Sequence, residues 1–311
     1  MSRGTKVVLS YVPQTDVETV PLTGWKVLPR VSDSLNNTVE MTDSETIADS
    51  RIRTAGMVTS ASAEGDVEVE MIKVTYDDLI AAAAGNTWVV DAPLGTDTIT
   101  FGGDVVSLFA MEKNHKDITQ YHYWSGMRVN SFSLDIPDSG FIGMTFGFMG
   151  SGYEASLVAS APSPEAAITS PKATSLSVSD IQIDGITTQG VSCVTAFSFE
   201  LTNNIERQNC LGAGLYGSSF LEMMADMSGS LTLAYSQRTQ AILDKQLTGA
   251  PIAIETTVKF PDGDTYVLTI PKAQISGDIP AGSKEKLEAS LTYTVYADVP
   301  ADAPTIKLIT A

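Results

Sequence analysis

The chain has 311 residues, with 37 acidic and 19 basic side chains and a net charge of −18. A deficit of Lys and Arg excludes a protein that wraps nucleic acid by neutralising its phosphates. Two His (His115, His122) and two Cys (Cys193, Cys210) make a four-ligand His/Cys zinc site only if all are used, and one possible bridge cannot organise a disulfide scaffold of this length.

Hydrophobic residues make up 43% of the chain, enough for a sizeable core, and charged residues only 18%. Ser, Thr and Gly fill the difference, which suits strands and turns. From the N-terminus, no apolar run of signal-peptide length follows Met1–Lys6. No segment reaches the ~18 apolar residues of a membrane span. The expectation is a soluble protein made in a reducing cytoplasm, with no membrane partner.

Residues 1–40 read as an N-terminal arm with strand segments. Val7–Val12 is strand-like, and Pro13, Pro21 and Pro29 surround Trp25. Such arms are disordered or ordered by a neighbouring subunit. Asp33, Glu40, Asp43, Glu45 and Asp49 form an acidic cluster without the order of an EF-hand, so a solvated loop is expected. The alternation of Gly65–Met71 predicts a half-buried strand. Thr75-Tyr-Asp-Asp78 resembles a capping box opening a helix over 76–84, and Gly85 is placed to end it. A strand start is expected at Trp88–Val90 and a hairpin across Thr98–Asp104, with glycine supplying the turn. His115 and His122 lie in a polar loop leading into an aromatic strand, with no nucleophile or ligand set at a useful spacing. Val129–Ile136 and Phe141–Met149 alternate as strands.

Ser160–Pro171 carries three prolines among small residues and reads as part of a linker over 159–175. Beyond it, Val194–Leu201 repeats the pattern of 129–136. Cys193 and Cys210 have no catalytic context. Gly212-Ala-Gly-Leu-Tyr-Gly217 has dinucleotide-loop spacing, but the polar 203–210 segment precedes it and no βαβ pattern surrounds it. A glycine-rich loop is expected, and no cofactor or metal. Met223, Met224 and Met227 are expected in the core in preference to a contact patch. Gly229–Tyr235 matches Gly65–Met71. Ser236 caps a helix over 237–247, with Gly249 at its end. Ile252–Ile254 matches 88–90, Thr257–Val267 matches the first hairpin, and Leu287–Tyr296 matches 141–149. Residues 299–311 form a short tail.

Strand, helix, strand, hairpin, strand thus occurs twice, about 160 residues apart. The predicted fold is mainly β: two tandem, duplicated β-sandwich or partly closed barrel domains, 41–158 and 176–298, each with one short helix. No paired carboxylates or nucleophile with an interpretable context stand out, so the chain does not read as an enzyme.

Taken in order, Gly24–Pro29, Asp43–Ile47, Thr54–Met57, Gly65–Val69 and Phe146–Gly150 in the first half resemble the major tail tube proteins of long, flexible-tailed bacteriophages. In the second half, Val194–Leu201 with Asn203-Asn204, the Gly229 strand and Leu268–Lys272 carry the same resemblance. Each motif is weakly specific; their order over about residues 20–298 carries it. The resemblance implies a β-sandwich with a flanking helix, assembled into stacked rings around a channel that conducts the genome to the host. It implies a virion location, with tape-measure and terminator or baseplate proteins as partners. One domain per chain gives hexameric rings in most of the family. A duplicated chain gives trimeric rings of pseudo-sixfold symmetry, with hexamers as the alternative. Glu68, Glu70 and Thr232 are the expected channel-facing residues, since an acidic lumen repels DNA in transit. Trp25, Asp43, Glu45, Arg51 and Arg53, in the arm and a long loop, are the expected contacts between rings. Another virion component, such as a decoration or baseplate hub protein, and a carbohydrate- or receptor-binding module are the competing readings.

Overall fold

A computed structural model describes residues 3–47, 52, 54–168, 171–188, 193–212, 214–217, 219–282 and 286–310. In chain order the first half contains β1 (Val7–Gln14), β2 (Lys26–Val27), β3 (Ser32–Asp33), β4 (Asn36–Thr42), β5 (Met57–Glu70), α1 (Asp77–Ala84), β6 (Val89–Asp91), β7 (Thr96–Thr100), β8 (Leu108–His115), β9 (Gln120–Ile136), β10 (Gly143–Gly150) and β11 (Gly152–Ser156). The second half contains β12 (Val178–Ile183), β13 (Ile186–Thr187), β14 (Val194–Thr202), β15 (Ile205–Gln208), β16 (Ser219–Glu222), β17 (Asp226–Ala234), α2 (Gln237–Leu243), α3 (Lys245–Thr248), β18 (Ile252–Lys259), β19 (Thr265–Gly277), β20 (Glu288–Val295) and β21 (Thr305–Ile309).

The fold is mainly β, as expected, built from large antiparallel sheets that do not close into a barrel. Two long strands, β9 and β19, organise it. The N-terminal part of β9 lies between β8 and β11, and β8 pairs in turn with β1 and β1 with β2. The C-terminal part of β9 pairs with β10, followed by β5 and then β3 and β4. In the second half, the N-terminal part of β19 lies between β18 and β21, and β18 pairs with β12 and β12 with β13. Its C-terminal part pairs with β20, followed by β17 and β14. The same order of pairings therefore occurs in both halves. β14 also pairs with β9, from Phe197↔Ile136 to Thr202↔Ser131. One antiparallel sheet thus runs β4–β5–β10–β9–β14–β17–β20–β19.

Period-two alternation sorts the side chains of this sheet onto two faces. One cross-strand row reads Val69, Met144, Leu134, Phe199, Gly229, Tyr293, Ile275, and the next reads Val67, Phe146, Phe132, Leu201, Met227. These rows face the core, where Phe132 meets Phe101, Phe146 and Phe199 at ring-centroid distances of 5.3–6.4 Å. A single buried cluster includes side chains of both halves, so the halves share a core.

Gly229 interrupts the apolar row for a steric reason. A Cβ there would come within 2.1 Å of the Ser198 carbonyl oxygen and 2.4 Å of the Tyr293 ring. Tyr293 Oη donates to that same carbonyl at 2.7 Å. Gly229→Ala is expected to cost about 2–4 kcal/mol through overpacking of a closed site. Urea denaturation checks this, and a loss under 0.5 kcal/mol would contradict the packing described. Its match, Gly65, has φ +150°, and a Cβ there would lie 2.6–2.7 Å from Ser34 and Leu35 backbone atoms.

Several expectations change. Residues 7–14, read as part of an arm, pair with β8 along their whole length. The tail at 299–311 contributes β21, which lies between β19 and β7 and so joins the halves. In the linker region Ala161 and Ala173 are buried, and Glu112 accepts hydrogen bonds from the backbone of Ser160 and Ala161. The predicted hairpin at 98–104 is instead a hairpin of β6 with β7, turning over 92–95. Gly103 is required elsewhere: its carbonyl lies 2.1 Å from where a Gly85 Cβ would be, so two backbones touch at the end of α1. Consequently 88–90 is not the counterpart of 252–254; by pairing, that role falls to β8. Segments 129–136 and 194–201 look alike because they are neighbours facing the same two environments.

Both glycine helix stops hold, with Gly85 and Gly249 left-handed at φ 69° and 66°. Ser236 accepts from the Thr239 amide as an N-cap. Thr75 does not cap α1; its hydroxyl donates to the Lys73 carbonyl.

Candidate functional site

The face of the large sheet opposite the core is polar across all its strands. One row reads Ser32, Glu68, Thr145, Ser133, Glu200, Ser228, Thr294, Gln274. Its neighbour reads Glu70, Gly143, Asp135, Ser198, Ser230, Thr292, Ser276 by the same pairings. β4, β5, β10, β14, β17 and β20 contain no Lys or Arg. Acids and hydroxyls thus line a broad surface without intervening cations from these strands.

The three expected channel-facing residues fall on this face. Glu68 is exposed, and its carboxylate accepts from the Ser32 hydroxyl at 2.8 Å. Glu70 forms an ion pair with Lys172, which offsets part of its charge. Thr232 sits between Ala196 and Ser290. Asp66, Asp135 and Glu200 lie on the same face and were not singled out beforehand. The signal that finds them is alternation combined with pairing, and the pairing is long-range.

The expected ring-contact residues separate. Trp25 is 3% exposed; its indole donates to the Pro21 carbonyl at 2.8 Å and its ring meets Tyr123. It is a packing residue of the chain itself. Asp43 and Glu45 are exposed on the loop joining β4 to β5. Arg51 and Arg53 lie outside the described residues. Within the acidic cluster, Asp33 pairs with Arg30 at 2.5 Å and with Lys113, and Glu40 accepts from Ser60 at 2.7 Å.

Other motifs take up structural places. His122 Nδ1 lies 2.7 Å from Tyr153 Oη, its ring stacks on Tyr153, and burial lowers its pKa. Gly212 and Gly214–Gly217 lie in the loop of the β15–β16 hairpin, not between a parallel strand and a helix. Cys193 and Cys210 are exposed thiols. Met223 and Met224 are exposed, Met224 at 85%, contrary to the core placement expected for them. No group of three or more His, Cys, Asp or Glu is arranged to hold a metal among the described residues. Among the same residues, no helix is long and apolar enough to cross a membrane.

A polar joint ties α1 to the second half. Tyr266 Oη donates to Asp77 Oδ1 at 2.9 Å and accepts from the Val74 amide at 3.0 Å. Lys73 pairs with Asp262 at 2.7 Å and with Asp264. Burial, with help from Asp78 and Asp97, pushes the Asp77 carboxyl up to about 6, against the Tyr266 hydrogen bond, which lowers it. The folded state therefore binds this proton more tightly than the unfolded chain. The resulting stability is fully present below the unfolded pKa of about 4 and is lost as pH rises through about 6. Asp77→Asn keeps the acceptor without the charge. Its stability relative to the native chain is expected to grow from near zero at pH 4 to about 2–3 kcal/mol at pH 7. Paired denaturation curves measure it, and a pH-independent difference would refute the assignment.

No curated protein matches this chain. A family model described as phage tail tube protein matches residues 4–295. An extended antiparallel sheet with one apolar and one acidic, hydroxyl-rich face suits a tube wall, and the match spans nearly all of both halves. The chain belongs to the phage tail tube protein family.

Proposed function

We propose that three copies of this chain close a ring of pseudo-sixfold symmetry, that rings stack into the tail tube, and that the acidic sheet face lines the bore through which DNA passes. The chain is then a duplicated unit, each copy consisting of one four-strand segment of the large sheet and its covering ladder. One observation carries this reading. The β9–β14 pairing joins the edge of the first four-strand segment to the edge of the second. The two equivalent outer edges, β4 and the 274–277 part of β19, pair with no further strand among the described residues, although the Gly277 amide donates to the Gln246 side chain at 3.1 Å. Unpaired edges are templates for strand addition. Repeating the internal junction between chains sets residues 33–38 beside 276–281 of the next copy, and three such junctions close the ring.

The bore in this reading is lined by Glu68, Glu200, Asp135 and their hydroxyl neighbours, which repel phosphate and offer it no cation. Glu70 contributes less, because of Lys172. Stacking is head-to-tail and heterologous, the interface type that grows into a filament. Asp43 and Glu45 are exposed for contacts with neighbouring copies. The partners are further copies, a tape-measure protein within the bore and terminator and baseplate proteins at the ends. The protein is made in the host cytoplasm and resides in the virion tail.

Native mass spectrometry and negative-stain microscopy of the purified chain test this. Closed rings of three copies are expected; rings of six chains refute the pseudo-sixfold count, and a monomer at high concentration refutes ring formation. Glu68→Lys with Glu200→Lys in assembled phage is expected to slow DNA ejection several-fold, more at low salt than high. Ejection at the native rate would remove this face from the bore.

A further inference from the structure

The described residues of the segment between β14 and β17 (203–212, 214–217 and 219–225) do not project from the chain. They turn back over the first half. Arg207 donates to the Ala61 carbonyl at 2.9 Å, and the Ala61 amide donates to the Leu215 carbonyl at 2.9 Å. Tyr216 Oη donates to Asn37 at 2.9 Å. Phe220 packs beneath the guanidinium groups of Arg128 and Arg207, 4.6 and 5.7 Å from its ring centroid. This loop therefore clasps the unit that β14 pairs with.

The corresponding place in the second half follows from register. Gly65 and Gly229 occupy matching positions, so Ala61 corresponds to Ala225. Phe148 and Tyr293 lie opposite those glycines, so Gly150 corresponds to Val295. At Ala225 and Val295 no loop clasps the sheet among the described residues. There is an open groove of about 760 Å³, whose apolar lining includes Phe101, Ala225, Met227, Val295, Tyr296 and Val299. Met224 stands exposed at its rim.

The first half has its own loop at the matching point of the chain, joining β4 to β5. Its described flanks carry Met41, Ile47, Met57 and Val58, all exposed. These are large apolar side chains without a buried place in their own chain, and contiguous exposed apolar surface marks an interaction site. We infer that the groove at Ala225 and Val295 receives the β4–β5 loop of a second copy, as the first half receives the β14–β17 loop within one chain. The contact is lateral, between neighbours in a ring. It adds a clasp to the strand junction, with methionines on both sides that adapt to an irregular fit. This inference rests on the ring reading above.

A photoreactive benzoylphenylalanine at position 57 tests it. The full chain is purified as an equal mixture of ¹⁴N- and ¹⁵N-labelled copies, assembled to single rings, irradiated and digested. Mixed-isotope crosslinks joining position 57 to residues 224–227 or 295–299 are expected. If rings form and the crosslinks fall within one chain, or on other segments, the groove assignment is overturned while the ring stands. If no rings form, the ring reading itself falls, and the clasp with it. As a second variant, Met224→Arg places a charge at the rim of the groove, on a side chain that is 85% exposed and outside the core. Its ring-forming affinity should drop about tenfold or more in sedimentation, with an unchanged melting curve of the monomer. Native ring-forming affinity in that variant also overturns the clasp.

Discussion

Removal of residues 1–28 will abolish the folded monomer and not merely weaken contacts between copies. β1 forms an eight-residue ladder with β8. Leu9, Tyr11, Val12, Trp25 and Leu28 are buried in the same segment. At about 1.5–3 kcal/mol for each large apolar side chain removed from water, the loss is on the order of 10 kcal/mol. A domain has about 5–15 kcal/mol of stability in total. The truncated chain should therefore lack a cooperative urea transition and expose the edge of β8, a strand-pairing hazard. A truncation that unfolds cooperatively near the native midpoint, and fails only in stacking, would restore the reading of this segment as a docking arm. Circular dichroism with sedimentation separates the two results.

Cutting the chain after Asp298 is the second large effect. It deletes β21, whose Ile306 and Leu308 are buried and whose backbone pairs with β19 on one side and β7 on the other. The two side chains alone account for about 3–6 kcal/mol, and the β6–β7 hairpin loses the strand that holds it. A fall in melting temperature on the order of 10 °C is expected for a chain of this size. Restoring Ile306 and Leu308 in a version ending at Thr310 should recover it. A fall of only one or two degrees would mean that β21 is held weakly, with little effect on the joint between halves.

Local pattern was legible where one strand or helix explains itself. Gly65–Met71 and Gly229–Tyr235 alternate because each has one buried face. Their glycines recur because the backbone opposite approaches too closely for a Cβ at both places. Gly85, Ser236 and Gly249 announced their helix ends through cap chemistry. What escaped was set by distant partners. Val7 meets His115, and Thr305 meets Thr100; nothing near either residue in the sequence specifies the other. That is why an arm and a tail turned out to be strands. The hairpin at 98–104 was misplaced for a related reason. Glycine signals a backbone need, and at Gly103 the need is the close approach of Gly85, not a turn between paired strands. The acidic face was partly legible, at Glu68 and Glu70. Glu200 joined it only when β14 was seen beside β9.

That junction has a kinetic meaning. In a ring of six separate chains every seam forms by diffusional encounter, and an incomplete ring sheds members at either open end. In the ring proposed for this chain, every second seam lies within a single polypeptide, the Phe197–Thr202 pairing with Ser131–Ile136. It forms during folding, at an effective concentration set by the tether, and does not dissociate while the chain stays native. The dependence of ring nucleation on subunit concentration is then at most third power instead of sixth. Closed rings persist at dilutions where six independent units of equal seam strength would disperse.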